Sequence, residues 1–323
     1  MSDPAALRTI GLRKEFDGVV AIDSLDLEVP AGSVFGLMGP NGSGKTTTIR
    51  TCLGIYVPDN GEVRLLGAKQ PLEARYRVGY LPEERGLYPK MQVLEQLAFL
   101  GTIRGLSLPE ASRRAATWLE RVGLGERSNS ATNELSKGMQ QKVQFAAAVI
   151  HEPELVVLDE PFTGLDPVNT RLLQELILEQ SDRGCTVILS SHRMEQMEAM
   201  CDFVALIHRG NLVLHGALSE VRASHGRNTL AIEYEGPGNG LSSLPGVVQV
   251  NDSGRSARLE MHPGADIQAL LRELLGRVRL LSFSAEQPSM EEIFIDKVGD
   301  SGDDTPQLVL TDEGELVRKV EGP

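Results

Sequence analysis

Cysteine is scarce in this chain of 323 residues: there are three, odd in number and far apart. Cys52, Cys185 and Cys201 each fall in an apolar helix or strand context, so buried thiols in a reducing cytosol are expected rather than a disulfide framework or a metal site. Long hydrophobic runs are missing too. No apolar stretch approaches the ~18 residues of a spanning helix, and no basic-then-apolar signal opens the chain, so it is expected neither to cross a membrane nor to leave the cytoplasm unaided. Positive charge is short: 32 Lys and Arg face 45 Asp and Glu, for a formal net charge of −13. Nucleic-acid surfaces rest on Lys and Arg neutralising phosphates, so no nucleic acid is expected as a partner. Seven carboxylates against Arg318 and Lys319 lie in Gly299 to Pro323, an acidic tail expected to be flexible, with Gln307 to Leu310 able to pair as an edge strand.

What is present begins with 41% apolar residues, enough for one large domain and a smaller one. The stretch Gly39 to Thr46, Gly-Pro-Asn-Gly-Ser-Gly-Lys-Thr, fits G-x-x-x-x-G-K-[ST] without substitution. It follows a short apolar strand, Val34 to Met38, and opens a helical segment, Thr46 to Tyr56. In that setting Gly42 and Gly44 let backbone N–H groups close around phosphate oxygens, and the helix N-terminus adds partial positive charge. Gly39, Pro40, Asn41, Gly42, Ser43, Gly44, Lys45, Thr46 and Thr47 are therefore the phosphate-binding candidates. Lys45 would reach the outer phosphates and the Thr46 hydroxyl would hold Mg²⁺.

Ahead of the loop, Ala6 to Leu12 and Val19 to Val29 alternate in polarity around Asp17-Gly18, the signature of an antiparallel hairpin. Phe16 stands just before that turn. An aromatic there can stack on a nucleobase or fill the core, and periodicity does not choose. Glu62 to Leu66 and Tyr76 to Leu81 read as strands, the second ending in the loop Pro82 to Gly86. Lys90 to Gly123 changes to helical period and predicts a helical subdomain. Ser136 is placed to cap a helix whose apolar part is Val143 to Ile150. Leu155 to Leu158 is a buried strand that delivers Asp159 and Glu160 at its C-terminal end, where open parallel sheets keep their sites. Val168 to Gln180 is helical, and Cys185 to Leu189 is a strand closing on Ser190, Ser191 and His192. Two further strands, Cys201 to His208 and Leu212 to His215, finish a first domain. Composition shifts at Ala223 to Asn228. Short strands, an amphipathic helix Asp266 to Val278, a strand Leu280 to Ala285 and a helix Ser289 to Val298 then predict a small α/β domain. The expected division is 5–222, 223–298 and the tail 299–323.

In order and content these motifs resemble the ATP-binding cassette (ABC) ATPases over roughly residues 5 to 220. Gly39 to Thr46 looks like Walker A, Leu155 to Glu160 like Walker B with its catalytic glutamate, and Leu135 to Met139 like the signature Leu-Ser-Gly-Gly-Gln. Thr163 to Asp166 looks like the D-loop, His192 like the switch histidine and Phe16 like the adenine-stacking aromatic, while Glu83 stands where the family usually has a glutamine. The resemblance implies an α/β P-loop cassette with a mixed sheet core, an antiparallel β subdomain and a helical subdomain, followed by the small C-terminal α/β domain.

It implies ATP and Mg²⁺ as ligands, with Lys45, Glu160 and His192 catalytic and Thr46, Asp159 and Glu83 at the metal. Ser136 and Gly138 would act across a head-to-tail dimer of two copies, and Asp166, in the D-loop, would bind nucleotide. Lys137, Met139 and Glu83 depart from the usual motifs. With Pro288 to Ile295 they resemble the single-cassette branch that energises sodium, drug and antibiotic exporters. That branch implies a separate integral membrane permease, with the chain held on the inner face of the cell membrane. The competing reading, a soluble ABC ATPase acting on nucleic acid or ribosomes, is opposed by the single cassette, the lack of sustained heptads and the unclustered cysteines. A catalytically dead regulatory module is opposed by intact Lys45, Asp159, Glu160 and His192.

Overall fold

The computed structural model describes residues 5–84, 86–225, 228–238, 240–262, 264–299, 308–310 and 316–318. The chain divides into two compact units, with the break between Leu218 and Ser219.

The first unit opens with β1 (Ala5–Phe16) and β2 (Val19–Pro30), an antiparallel pair joined at Asp17-Gly18, where both residues have positive φ. β3 (Val34–Met38), α1 (Lys45–Cys52), β4 (Asn60–Leu65) and β5 (Val78–Leu81) follow. β4 pairs with the free side of β1, giving a three-stranded antiparallel sheet in the order β2-β1-β4. α1 stops short of the expected Tyr56. Gly54, at φ 73, donates its N–H to Thr51 O, the left-handed glycine stop of a helix end.

Next come α2 (Val93–Ile103), α3 (Leu108–Arg121) and α4 (Lys137–Val149), the predicted helical subdomain. α4 starts well before Val143 because Ser136 caps it, its hydroxyl accepting from Met139 N at 3.3 Å. β6 (Leu155–Asp159), α5 (Pro167–Asp182), β7 (Thr186–Ser191), α6 (Met194–Glu198), β8 (Phe203–His208) and β9 (Asn211–Ala217) complete this stretch, and α7 (Leu218–Ser224) begins at the break. Six strands form a mixed sheet in the order β5-β6-β7-β3-β8-β9, parallel except for the final β8–β9 pair. Every residue of β3, β6 and β7 is buried, which is why these strands read as apolar runs without alternation.

Leu7, Leu27, Phe35, Ile49, Val157 and Ile188 belong to a core joining the antiparallel sheet, α1 and the mixed sheet. At Gly79 of β5 the packing is tighter than any side chain permits: a Cβ there would lie 2.0 Å from the carbonyl oxygen of Ala148 in α4.

In the second unit β10 (Asn228–Glu235), β11 (Val247–Asp252), β12 (Ser256–Met261) and β13 (Arg279–Glu286) form an antiparallel sheet ordered β11-β12-β10-β13. α8 (Ile267–Leu275) turns Leu270 and Leu274 into a core with Leu230, Ile232 and Leu259. α9 (Met290–Gly299) ends the unit. Beyond it, β14 (Leu308–Leu310) pairs with β15 (Leu316–Arg318), and the rest of the acidic tail lies outside the described residues. All three cysteines are buried and free. Among the described residues no helix is long and apolar enough to cross a membrane.

Candidate active site

The parallel strands β3, β6 and β7 end at one edge of the sheet, and each delivers part of the site there. From β3 comes the phosphate loop. Gly39 has φ 148 and a Cβ on it would meet Ile207 O at 2.2 Å; Gly44 has φ 110 and its Cβ would meet Ala21 O at 2.5 Å. Glycine is required at both, by conformation and by space. α1 begins at Lys45 with no acidic residue in its first turn, so its free N–H groups carry an undiluted positive end. The Lys45 ammonium donates to Gly39 O at 2.7 Å and Pro40 O at 3.1 Å, and lies 4.0 Å from Glu160 Oε1. Burial pulls its pKa down, against Glu160, Asp159 and Glu83, which hold it up.

β6 supplies the carboxylates. Asp159 is fully buried; its Oδ1 accepts from the Ser190 hydroxyl of β7 and its Oδ2 has no partner. Burial raises the Asp159 pKa, opposed by hydrogen bonds from Ser190 and Thr46. Glu160 has φ 49, a left-handed conformation that strains a residue with a side chain. It is held there from both ends. Its N–H donates to Ser190 Oγ at 3.1 Å and Ser190 O at 3.2 Å, while its Oε1 accepts from His192 N at 3.0 Å and sits 2.9 Å from His192 Nδ1.

A cleft of about 480 Å³ opens between the phosphate loop (Asn41, Gly42 and 44–47), Val19 to Ala21, Glu83, Glu160 and Arg209-Gly210. That volume is within the roughly 300–1,000 Å³ of small-molecule sites. The cleft thus brings together Lys45, Thr46, Thr47, Glu83 and Glu160, with Asp159 behind them and His192 joined through Glu160. Ser43 lies beneath the loop, its hydroxyl buried without a partner.

Phe16 is not part of the cleft wall. Its half-exposed ring packs edge-on against Tyr56 at 5.2 Å, with Lys14 over it at 5.1 Å. Ser136, Gly138 and Asp166 also stand outside the wall. Gly138 abuts Gly164 and Leu165, and Asp166 caps α5 by accepting from Asn169 N at 2.9 Å.

Buried polar residues of α4 tie that helix to the loop after β6, to α5 and to the loop after β5, a role that sequence patterning alone left unread. Gln141 donates to Pro161 O at 3.0 Å, Lys142 to Asn169 Oδ1 at 3.0 Å, and Gln144 to Glu84 O at 3.4 Å. Arg209, which no sequence motif singles out, also lines the cleft. Its nearness to the phosphate loop comes from tertiary contact and leaves no local signal.

A glycine-rich loop between a buried parallel strand and a helix, with an Asp-Glu pair ending a neighbouring strand, defines a P-loop nucleoside triphosphatase. The comparisons narrow the class. The family model described as ABC transporter matches residues 22–163, and one for the C-terminal domain of DrrA1-3-like ATP-binding proteins matches residues 216–298. The chain is 40% identical over 286 residues to the uncharacterized ABC transporter ATP-binding protein YhaQ of Bacillus subtilis (strain 168), covering 88% of this chain and 96% of that one. It is 32% identical to the daunorubicin/doxorubicin resistance ATP-binding protein DrrA of Streptomyces peucetius, covering 93% and 94%. A solved structure, of the ATP binding subunit of an ABC transporter, superposes with TM-score 0.64 at 32% identity, over 68% of this chain and 92% of that one. The chain belongs to the ABC transporter ATP-binding proteins, a family that binds and hydrolyses ATP.

Proposed function

We propose that this chain hydrolyses ATP to power export of a substrate through a separate membrane permease, working as a head-to-tail pair of copies on the inner face of the membrane. The observation that carries the catalytic part is the placement of Glu160, whose strained, doubly anchored carboxylate stands at the cleft 4.0 Å from the Lys45 ammonium. Phosphoryl transfer to water is mostly positioning and charge neutralisation. Glu160 acts as general base on the attacking water. His192, hydrogen-bonded to Glu160, holds that carboxylate in register and reads the γ-phosphate. Lys45 exchanges its loop carbonyls for the outer phosphates.

The oxygen donors suit a hard divalent cation, since Asp159 Oδ2 is buried without a partner and Thr46 lies alongside. Mg²⁺ is commonly held by one or two protein oxygens together with substrate phosphates. Thr46, Asp159 and Glu83 would hold it, and when bound it neutralises charge on the phosphate oxygens. Phe16 serves the adenine. Ser136, Gly138 and Asp166, outside this chain's own cleft wall, act on the nucleotide of the second copy, with the α4 N-terminus aimed at its γ-phosphate.

The export reading draws on relatives named for drug resistance. The second unit, matched by the DrrA1-3-like C-terminal model, is read as an accessory domain.

The test is Glu160→Gln. ATP binding should persist, hydrolysis should fall at least about 100-fold, and gel filtration with Mg-ATP should show an accumulated dimer. Hydrolysis near the wild-type rate would sink the assignment.

A further inference from the structure

The turn between β8 and β9 is built in an unfavourable way. Arg209 and Gly210 are its two central residues, and both have positive φ, 49 and 77. That two-residue hairpin pattern favours Asn-Gly, and an arginine in the left-handed region is strained. Gly210 has an evident reason for its place. Its N–H donates to Ser43 O at 2.8 Å, its carbonyl accepts from Asp23 N at 2.9 Å, and a Cβ would come within 2.9 Å of Ala21 O. The turn is thereby bolted to the phosphate loop on one side and to β2 on the other.

Strain retained beside a site calls for a functional reason. Arg209 lines the nucleotide cleft. The other charged residues of its wall are Lys45, Glu83 and Glu160, so without Arg209 the wall carries two carboxylates against one ammonium that is already engaged with two loop carbonyls. Among the described residues, Arg209 has no ion-pair partner of its own. The turn also enters the cleft from a defined side. Gly210 Cα is 3.6 Å from where a Gly44 Cβ would be, beside Ala21, whereas Glu160 approaches the cleft at the Lys45 ammonium.

We propose that Arg209 is a nucleotide-binding residue that contacts the α-phosphate, a second cation of the cleft outside every recognised motif. The inference rests on the ATPase reading above and adds one residue and one phosphate to it. Guanidinium–phosphate contacts are charge-assisted and specific to the fork geometry.

The experiment measures Kd for Mg-ATP and Mg-ADP on the full chain, wild type against Arg209→Gly and Arg209→Lys. Glycine relaxes the positive-φ strain, so Arg209→Gly should melt no lower than wild type, which separates binding from folding. Its Kd should nevertheless rise about tenfold for both nucleotides, the effect of losing one charged contact, and Arg209→Lys should recover part of the loss. An Arg209→Gly Kd within twofold of wild type overturns the proposal, and a loss confined to ATP overturns the α-phosphate placement. If wild type itself fails to bind Mg-ATP, or binds it regardless of Lys45→Ala, the ATPase reading falls first and this inference with it.

Discussion

Histidine 151 offers a stability test worked from a single side chain. It follows the C-terminal end of α4, where its Nε2 donates to Val78 O at 3.2 Å and its Nδ1 is buried without a partner. Burial, reinforced by Arg104 and Arg114, lowers its pKa from 6.5 to about 4 against the opposing hydrogen bond to Val78. The unfolded chain therefore takes up a proton below pH 6.5 that the folded chain refuses until about pH 4. In that window the unfolded state binds more protons, so stability falls as pH falls. The whole effect is about 3 kcal/mol at the acid end, and about 1.4 kcal/mol is lost between pH 7.5 and 5.5.

His151→Gln keeps a donor for Val78 O and does not titrate. Urea unfolding at the two pH values, followed through Trp118, should show wild type losing about 1.4 kcal/mol more than the variant. Trp118 is the chain's single tryptophan; it is buried on α3 in the same unit and stacked edge-on against Phe145 at 5.8 Å. Every other titrating group is common to both proteins, so a pH response equal within about 0.5 kcal/mol would refute the reasoning.

Three further outcomes are expected. Mixing Ser136→Arg protein with Lys45→Ala protein should restore roughly a quarter of wild-type hydrolysis, since half the dimers are mixed and each mixed dimer has one whole site; no recovery above either variant alone counts against the head-to-tail arrangement. Glu83→Gln should fold normally but shift the Mg²⁺ dependence of hydrolysis, and a metal titration matching wild type would rule out coordination by Glu83. Ending the chain after Leu218 should leave nucleotide binding largely intact while altering dimer lifetime, whereas a folded truncation unable to bind ATP would refute the accessory reading of the second unit.

How much of this was legible in the sequence depended on how local each feature is. The phosphate loop could be read because consecutive backbone N–H groups do the binding, so glycines, lysine and threonine must sit at fixed offsets. β6 and β7 could be read because strands buried on both faces are apolar along most of their length, with the polar Asp159, Ser190 and Ser191 held to their C-terminal ends. The start of α4 was legible from its cap, Ser136, but the reach of its polar residues was not: Gln141, Lys142 and Gln144 break the apolar pattern, and each bonds a residue far away in sequence. Arg209 was missed for the same reason. Its neighbour Gly210 meets Ser43, Asp23 and Ala21 across more than half the chain, and Arg-Gly by itself signals no more than a turn. Phe16 was left open between nucleobase and core; its ring rests edge-on against Tyr56, which no alternation pattern in β1 foretells.

The contact at Gly79 bears on how force travels through the first unit. Where two elements meet through side chains, methyl groups can rotate and methylenes can slide, and a small displacement is absorbed before it passes on. β5 and α4 have no such cushion at Gly79, because strand backbone rests on helix carbonyl. Leu81, the last residue of β5, stands two residues before Glu83, and α4 begins at the cap formed by Ser136. A pull on the loop holding Glu83 therefore reaches Ser136 through a joint without play. A methyl group wedged in by Gly79→Ala would force β5 and α4 apart at that joint without altering the identity of any motif residue.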